Sequence, residues 1–258
     1  MEFSATATRV GYSTQVQSLF YDQTGTPVNQ TIRNEKSFDP VYYSSGSMSY
    51  VGDNSYSAFT NPIQGSRFRF EVTPTVGTLT YNALLADYRQ YYFARPITFA
   101  FRGLHYGRYG RSAEDSSHMY PLFLGEESIM RGYGVGSFDQ NECGQRSCPV
   151  FDRLLGSRLA VVSAEIRIPV FGVPEYGLIN FPYLPLTLSP FIDAGEAWNS
   201  QQAPTFSTNQ ANFRIPVVST GISARINLLG YAVIEGYVAH PFQRPGKNWV
   251  YGDRKSVV

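Results

Sequence analysis

This chain of 258 residues contains no uninterrupted apolar run of about 18 residues, which excludes a transmembrane helix. It has only two cysteines and three histidines, and His105, His118 and His240 are too scattered to suggest a metal-ligand set. The formal net charge is +1, so the overall charge gives no argument for nucleic-acid binding. The first residues have neither a basic segment nor an apolar one, and no signal peptide is visible.

Catalytic motifs are missing as well. There is no Gly-x-Ser-x-Gly elbow, and the dispersed histidines do not suggest a Ser/His/Asp set. The spacing of Gly132, Gly134 and Gly136 superficially matches a dinucleotide-binding loop. The residues that follow, 137–140, predict no helix that would bind a phosphate at its N-terminus. We therefore expect no enzyme activity, no bound metal and no cofactor.

Aromatic residues and strict alternation are what the sequence does have. There are 19 Tyr and 18 Phe, and apolar residues alternate with polar ones through many segments, as in residues 67–72 (Arg-Phe-Arg-Phe-Glu-Val). These segments run for roughly 9 to 15 residues, whereas a strand of a soluble protein has about 5–6. Strands of about 9–11 residues cross a bilayer at a tilt. One apolar face and one charged face are expected where a strand separates lipid from a wet lumen.

The sequence therefore predicts an all-β fold, a transmembrane antiparallel β-barrel in a single region, 1–258. About ten strands are predicted, at 6–22, 40–52, 64–76, 78–92, 96–108, 156–170, 186–198, 214–228, 230–242 and 248–251. Tight turns alternate with long polar connections, which we place at 23–39, 109–155 and 199–213. A soluble β-sandwich or propeller is the alternative, and the strand length and the one-sided charge count against it.

The connection 109–155 is the longest of these. Loops above about 12–15 residues are usually functional or disordered. Residues 121–127 (Pro-Leu-Phe-Leu-Gly-Glu-Glu) are too apolar for free solvent, so we expect this lumenal or extracellular loop to pack inside the protein. Cys143 and Cys148 lie in it five positions apart. In an oxidising compartment a local disulfide is the simplest pairing, with two free thiols as the alternative.

At this point the residues carry a family resemblance. Residues 123–133 (Phe-Leu-Gly-Glu-Glu-Ser-Ile-Met-Arg-Gly-Tyr) resemble the sixth-loop motif of the BamA/TamA outer-membrane superfamily, also called bacterial surface antigens. Residues 156–169, 190–198 and 219–225 resemble the twelfth, thirteenth and fourteenth strands of that family, in the same order. The triplet Arg131-Gly132-Tyr133 is a weak signal alone. The ordered match covers most of the second half of the chain and is much more specific.

The resemblance implies a role for three charged residues. In that family the loop folds back into the lumen, and its arginine pairs with acidic groups on the next two strands. The positions here are Arg131 in the loop motif, with Glu165 and Asp193 as its partners. The alternation independently places both carboxylates on the lumen face, and an arginine fork suits carboxylates. The alternative is that they are ordinary lumenal charges in water, each contributing little.

The resemblance also implies a function. A member of this family in the bacterial outer membrane would insert other barrels or move polypeptides across the membrane. Its partners would be outer-membrane lipid, unfolded outer-membrane or secreted polypeptides, and accessory lipoproteins. A passive pore, a surface-binding barrel, and a membrane anchor for a missing N-terminal domain remain the alternatives.

Two features depart from the family pattern. Five predicted strands precede the loop here, where the family's sixteen-stranded barrel would have eleven. The last residues, 252–258, are charged and lack the aromatic ending of a closing strand. We therefore expect this chain to be part of a larger sixteen-stranded barrel, with its signal peptide and soluble domain outside the sequence.

Overall fold

The computed structural model describes the backbone of residues 1–21, 24–58, 60–143, 148–205 and 214–257, and all their side chains except those of residues 12–13, 35–38, 140 and 254–257. Most of this backbone lies in one sheet. Its long strands within the described residues are β1 (Glu2–Tyr21), β2 (Pro27–Asp53), β3 (Pro62–Gly77), β4 (Tyr81–Ala94), β5 (Ile97–Tyr109), β6 (Arg158–Gly172), β7 (Leu186–Trp198), β8 (Val217–Leu228), β9 (Ala232–Pro241) and β10 (Val250–Val257).

Each long strand pairs antiparallel with the next one in the chain, from β1 through to β10. In the described residues, β1 and β10 are therefore the two edges of the sheet, and they do not pair with each other. The prediction of an all-β antiparallel fold is confirmed. Its up-and-down strand order is that of a barrel wall.

The two faces of the sheet differ as the alternation predicts. On β7, Ser189, Phe191 and Asp193 are buried on the inner face, while Ile192 between them is half exposed on the outer face. Apolar side chains are exposed on the outer face of other strands too, including Phe101 and Val162. An apolar outer face over a polar inner face suits a sheet with lipid on one side. Among the described residues, no helix is long and apolar enough to cross a membrane.

Two predicted boundaries are wrong. The predicted connection 23–39 is mostly strand, because β2 begins at Pro27 and its pairing with β1 extends from Pro27 to Ser49. Residues 27–34 pair only with β1 and are exposed on both faces, so they lack the alternation that marks the other strands. The predicted stub at 248–251 is instead β10, which continues to Val257. Backbone pairing with β9 does not depend on apolar side chains. Residues 206–213 of the predicted connection 199–213 lie outside the described residues.

The long connection between β5 and β6 packs onto the inner face of the sheet. It holds a short pair of strands, Leu122–Phe123 with Leu155–Gly156, and a single helical turn, α1 (Pro149–Asp152). The main apolar core of the described residues lies between this loop and the sheet, and its members are Leu104, Leu122, Leu124, Met130, Tyr133, Leu154, Leu159, Val161, Ala197 and Val217. Each large side chain buried in this way contributes about 1.5–3 kcal/mol. The apolar segment at 121–127 thus holds the loop against the inner face of the sheet.

Candidate functional site

Arg131 lies on the turn of the loop that faces the sheet, and only 2% of the residue is exposed. Its Nε donates a hydrogen bond to Oδ2 of Asp193 and its Nη2 donates one to Oδ1, both at 2.8 Å. The backbone N–H of Arg131 also points at Oδ2 of Asp193, at 3.3 Å. This is the two-pronged arginine–carboxylate geometry, which fixes orientation as well as distance.

The other side of the Arg131 guanidinium reaches a second strand. Its Nη1 donates to Oε1 of Glu165 on β6 at 2.8 Å. Its central carbon lies over the Phe191 ring, 3.5 Å from the ring centre, so the cation also contacts an aromatic face. The structure thus brings together Arg131, Glu165 and Asp193, the three residues that the resemblance singles out.

The strand register explains this convergence. Phe191 and Asp193 are two residues apart on β7 and therefore point to the same face. Glu165 lies directly opposite Phe191 in the pairing of β6 with β7. The ring that supports the guanidinium is thus flanked by the two carboxylates that bind it.

The network contains three charged residues that the sequence did not single out as partners. Glu165 also accepts a hydrogen bond from Nε of Arg167 at 2.9 Å, and lies 3.3 Å from Nη2 of Arg225. Arg225 donates from Nε to Oε2 of Glu235 at 3.0 Å, and Glu235 lies 3.8 Å from Arg131. Three arginines therefore balance three carboxylates at the centre of the inner face.

A signal for these residues was present in the sequence. Arg167 and Arg225 lie on the lumen-facing side of their alternating segments. Arg225 and Glu235 are equally distant from the tight turn at Gly230, so a hairpin centred on that turn places them opposite each other. The structure pairs them in that register.

The connection between β2 and β3 meets the same network at the other end of the strands. Asn61 accepts a hydrogen bond from Nη1 of Arg225 at 2.6 Å, and the carbonyl of Pro62 accepts one from Nη1 of Arg167 at 2.9 Å. Asn61 is 8% exposed. The charged cluster therefore joins the Arg131 loop, the strands β6 to β9 and this turn, which nothing in the sequence indicated.

Gly132 and Tyr133 complete the loop motif. Gly132 has φ +85°, and a Cβ at this position would lie 3.1 Å from Cβ of Ala239. The Tyr133 side chain is wholly buried, with its hydroxyl 3.0 Å from both the carbonyl of Val218 and Oε1 of Gln243. Because a hydroxyl has one hydrogen, it donates to one of these acceptors at a time. The glycine permits close approach to β9, and the tyrosine anchors the loop to β8.

Burial and neighbouring charges shift the pKa of Arg131 in opposite directions. Burial alone would lower the pKa of the Arg131 guanidinium, but the hydrogen bonds and negative charge of Asp193, with the charge of Glu165, raise that pKa above its ordinary value. The arginine is therefore permanently charged. Burial raises the pKa of the Tyr133 phenol, which keeps it neutral and able to donate.

Cys143 and Cys148 are joined by a disulfide near the far end of the loop. Residues 144–147 between them lie outside the described residues. In the part of the chain that the structure describes, no group of His, Cys, Asp and Glu is arranged to hold a metal ion. The chemistry of the site is thus that of a buried ion network which holds a loop inside a sheet.

A two-faced antiparallel sheet of long strands, with a loop held on its inner face, is typical of an outer-membrane β-barrel protein. The sequence matches the Omp85 superfamily domain over residues 2–249. The chain therefore belongs to the Omp85 superfamily, which confirms the family resemblance, and it is located in the bacterial outer membrane. No curated protein matches the chain significantly.

Proposed function

We propose that this chain is the barrel region of a machine that inserts other β-barrels into the outer membrane or moves polypeptides across it. The observation that carries the proposal is the buried contact of Arg131 with Asp193 and Glu165. Removing three arginines and three carboxylates from water is costly, and buried ion networks are best attested where they fix one specific arrangement. A loop used only to block a pore needs no such exact placement.

The proposed mechanism uses the edges of the sheet. The backbone edge of β10 that points away from β9 has no partner strand among the described residues. A strand edge presents unpaired N–H and C=O groups, which cost several kcal/mol each in hydrocarbon and can pair with an incoming strand. By holding β6, β7 and β8 in one arrangement, the Arg131 loop would keep the neighbouring β9–β10 hairpin ready for this pairing.

The proposed partners follow from the apolar outer face and from the strand edge of the sheet. The apolar outer face would contact outer-membrane lipid, and unfolded outer-membrane or secreted polypeptides would pair with the edge. Accessory lipoproteins would bind outside the membrane. We also propose that the chain is not an enzyme. Exchange of backbone hydrogen bonds needs no cofactor, and the carboxylates of the site face guanidinium groups, which do not relay protons at neutral pH.

Reconstitution tests the proposal. The full protein is incorporated into liposomes, a urea-unfolded outer-membrane barrel is added, and the folded fraction is followed by its heat-modifiable gel mobility. We expect faster folding than in empty liposomes or in liposomes that carry an unrelated porin. Folding at the rate of the porin control would overturn the proposal. A large steady ion conductance without faster folding would favour the passive pore.

A further inference from the structure

Two side chains of the turn between β9 and β10 (residues 242–249), those of Gln243 and Arg244, contact the loop motif. Arg244 lies just after the end of β9, and its side chain is completely buried although it belongs to a connection between strands. Gln243 precedes it. A buried arginine is rare unless each of its donors finds a partner, so the contacts of Arg244 show what the turn is built to hold.

Arg244 binds the loop directly beside Arg131. Its Nη1 donates to the carbonyl of Gly132 at 2.8 Å, and its Nη2 donates to the carbonyl of Ser137 at 2.6 Å. Nε donates a hydrogen bond to Oε2 of Glu142 at 2.8 Å, and Nη2 donates one to Oε1 at 2.6 Å. The guanidinium also lies over the ring of Phe138 at 4.1 Å. This one side chain therefore contacts the loop at four residues.

Gln243 binds the next residue of the motif. Its Oε1 accepts a hydrogen bond from the backbone N–H of Val218 at 2.6 Å and lies 3.0 Å from the hydroxyl of Tyr133. Its own backbone N–H donates to that hydroxyl at 3.3 Å. Gly132 and Tyr133, the two residues after Arg131, are thus both held from the β9–β10 turn.

We propose that Gln243 and Arg244 form a latch that couples the Arg131 loop to the edge strand β10, with Arg244 as a positioning residue. The inference rests on the proposed function, because β10 is the edge at which insertion would occur. Arg244 is six residues from Val250, where β10 begins. The latch therefore fixes the connection that leads into β10 against Gly132, and its release would free the start of β10 together with the loop. Likewise, a shift of the loop is transmitted to the edge.

An exposed ion pair between the same two segments provides a matched control. Nζ of Lys247 lies 2.6 Å from Oδ2 of Asp139, but the Asp139 side chain is 59% exposed. Surface pairs of this kind contribute little. Lys247→Ala should therefore leave both the loop and β10 unchanged, whereas Arg244→Ala should affect both.

Amide hydrogen exchange of the full protein in detergent tests the coupling. In Arg244→Ala we expect exchange at least about tenfold faster, equivalent to about 1.4 kcal/mol, at residues 131–134 and also along β10. Arg244→Lys should restore the native rates only in part, because an ammonium cannot reproduce the fork. Faster exchange confined to residues 242–249 would overturn the latch. If Arg244→Ala does not fold, Glu142→Gln serves as the test variant, because it removes the charge that faces Arg244 without changing the shape of the side chain. Its amide exchange is then measured at residues 131–134 and along β10.

The insertion assay separates this inference from the proposed function. The latch predicts that Arg244→Ala inserts the unfolded barrel at least about fivefold more slowly, a loss of about 1 kcal/mol, while Lys247→Ala inserts at the native rate. If Arg131→Ala slows insertion and Arg244→Ala does not, the positioning role is overturned and the proposed function stands. If the native protein gives no insertion but Arg244→Ala loosens both segments, the proposed function fails and the coupling stands.

Discussion

Replacing Arg131 by alanine isolates one buried charge. Glu165 keeps two other arginines, Arg167 and Arg225, so it remains compensated. Asp193 is 1% exposed and loses both side-chain hydrogen bonds from Arg131, which leaves it, among the described residues, only the backbone N–H at 3.3 Å. The main effect of Arg131→Ala is therefore an unpaired carboxylate in the interior.

The expected magnitude follows from that single loss. Removing one partner of a buried ion pair costs about 3–5 kcal/mol, which is about two to three and a half powers of ten in an equilibrium constant. The quantity to measure is the free energy of local opening of the loop, obtained from amide exchange at residues 130–134 in the full protein in detergent. Those amides should exchange faster by this factor. Salt should have little effect, because a buried pair is weakly screened.

A double-mutant cycle decides whether Asp193 is the cause. In Arg131→Ala/Asp193→Asn no charge is left unpaired, so the combined loss should be smaller than the sum of the single losses by at least about 1 kcal/mol. Additive effects would refute the reasoning, and so would an Arg131→Ala effect below about 1 kcal/mol. Arg69→Ala is the matched control, since its pair with Glu71 leaves the Arg69 side chain 42% exposed.

Three further predictions concern the motif and the latch. Gly132→Ala should destabilise the folded protein by about 1–2 kcal/mol in urea unfolding, because a left-handed φ is unfavourable for alanine; a neutral effect would contradict the assigned backbone conformation. Tyr133→Phe should cost at least about 1 kcal/mol in the same assay, since it removes the hydrogen bond that the hydroxyl donates and the one that it accepts from the backbone N–H of Gln243; an unchanged midpoint would show that the hydroxyl is not used. Burial alone would raise the pKa of Glu142, but the hydrogen bonds and charge of Arg244, with the backbone N–H of Asp139, hold it below its ordinary 4.5. The latch should therefore be fully stabilised above about pH 4.5 and weaken as pH falls through the lowered pKa, which exchange at residues 132–138 would detect and Glu142→Gln should abolish.

The wall of the barrel was predictable because its strands have two different environments. Phe68 and Phe70 must face lipid while Arg69 between them faces the inner side. Apolar and polar residues therefore alternate along the strand with a period of two. Residues 27–34 are exposed on both faces, so their side chains show no two-residue period and this part of β2 was not predicted. The sequence of the end of β10 is charged and has no such period, so this part of the strand was not predicted either.

The site was predictable in part. Arg131, Glu165 and Asp193 could be named because a loop motif and the lumen-facing alternation coincide with a known family pattern. Glu235 could have been added from its symmetry with Arg225 about the turn. Asn61 and Arg244 lie in connections without a repeating pattern, and what they contact depends on how the sheet curves. Long-range curvature of this kind is not encoded in any local run of residues.

The most direct test of the central claim is the insertion rate of the reconstituted full protein with Arg131 native, Arg131→Lys and Arg131→Ala, with Arg69→Ala as the control. We expect native and control proteins to fold an added outer-membrane barrel at equal rates, Arg131→Lys to be slower, and Arg131→Ala to be slower by at least about tenfold, a barrier increase of about 1.4 kcal/mol. Equal rates for all four proteins, with the exchange data showing the loop released in Arg131→Ala, would contradict the claim that the held loop supports insertion.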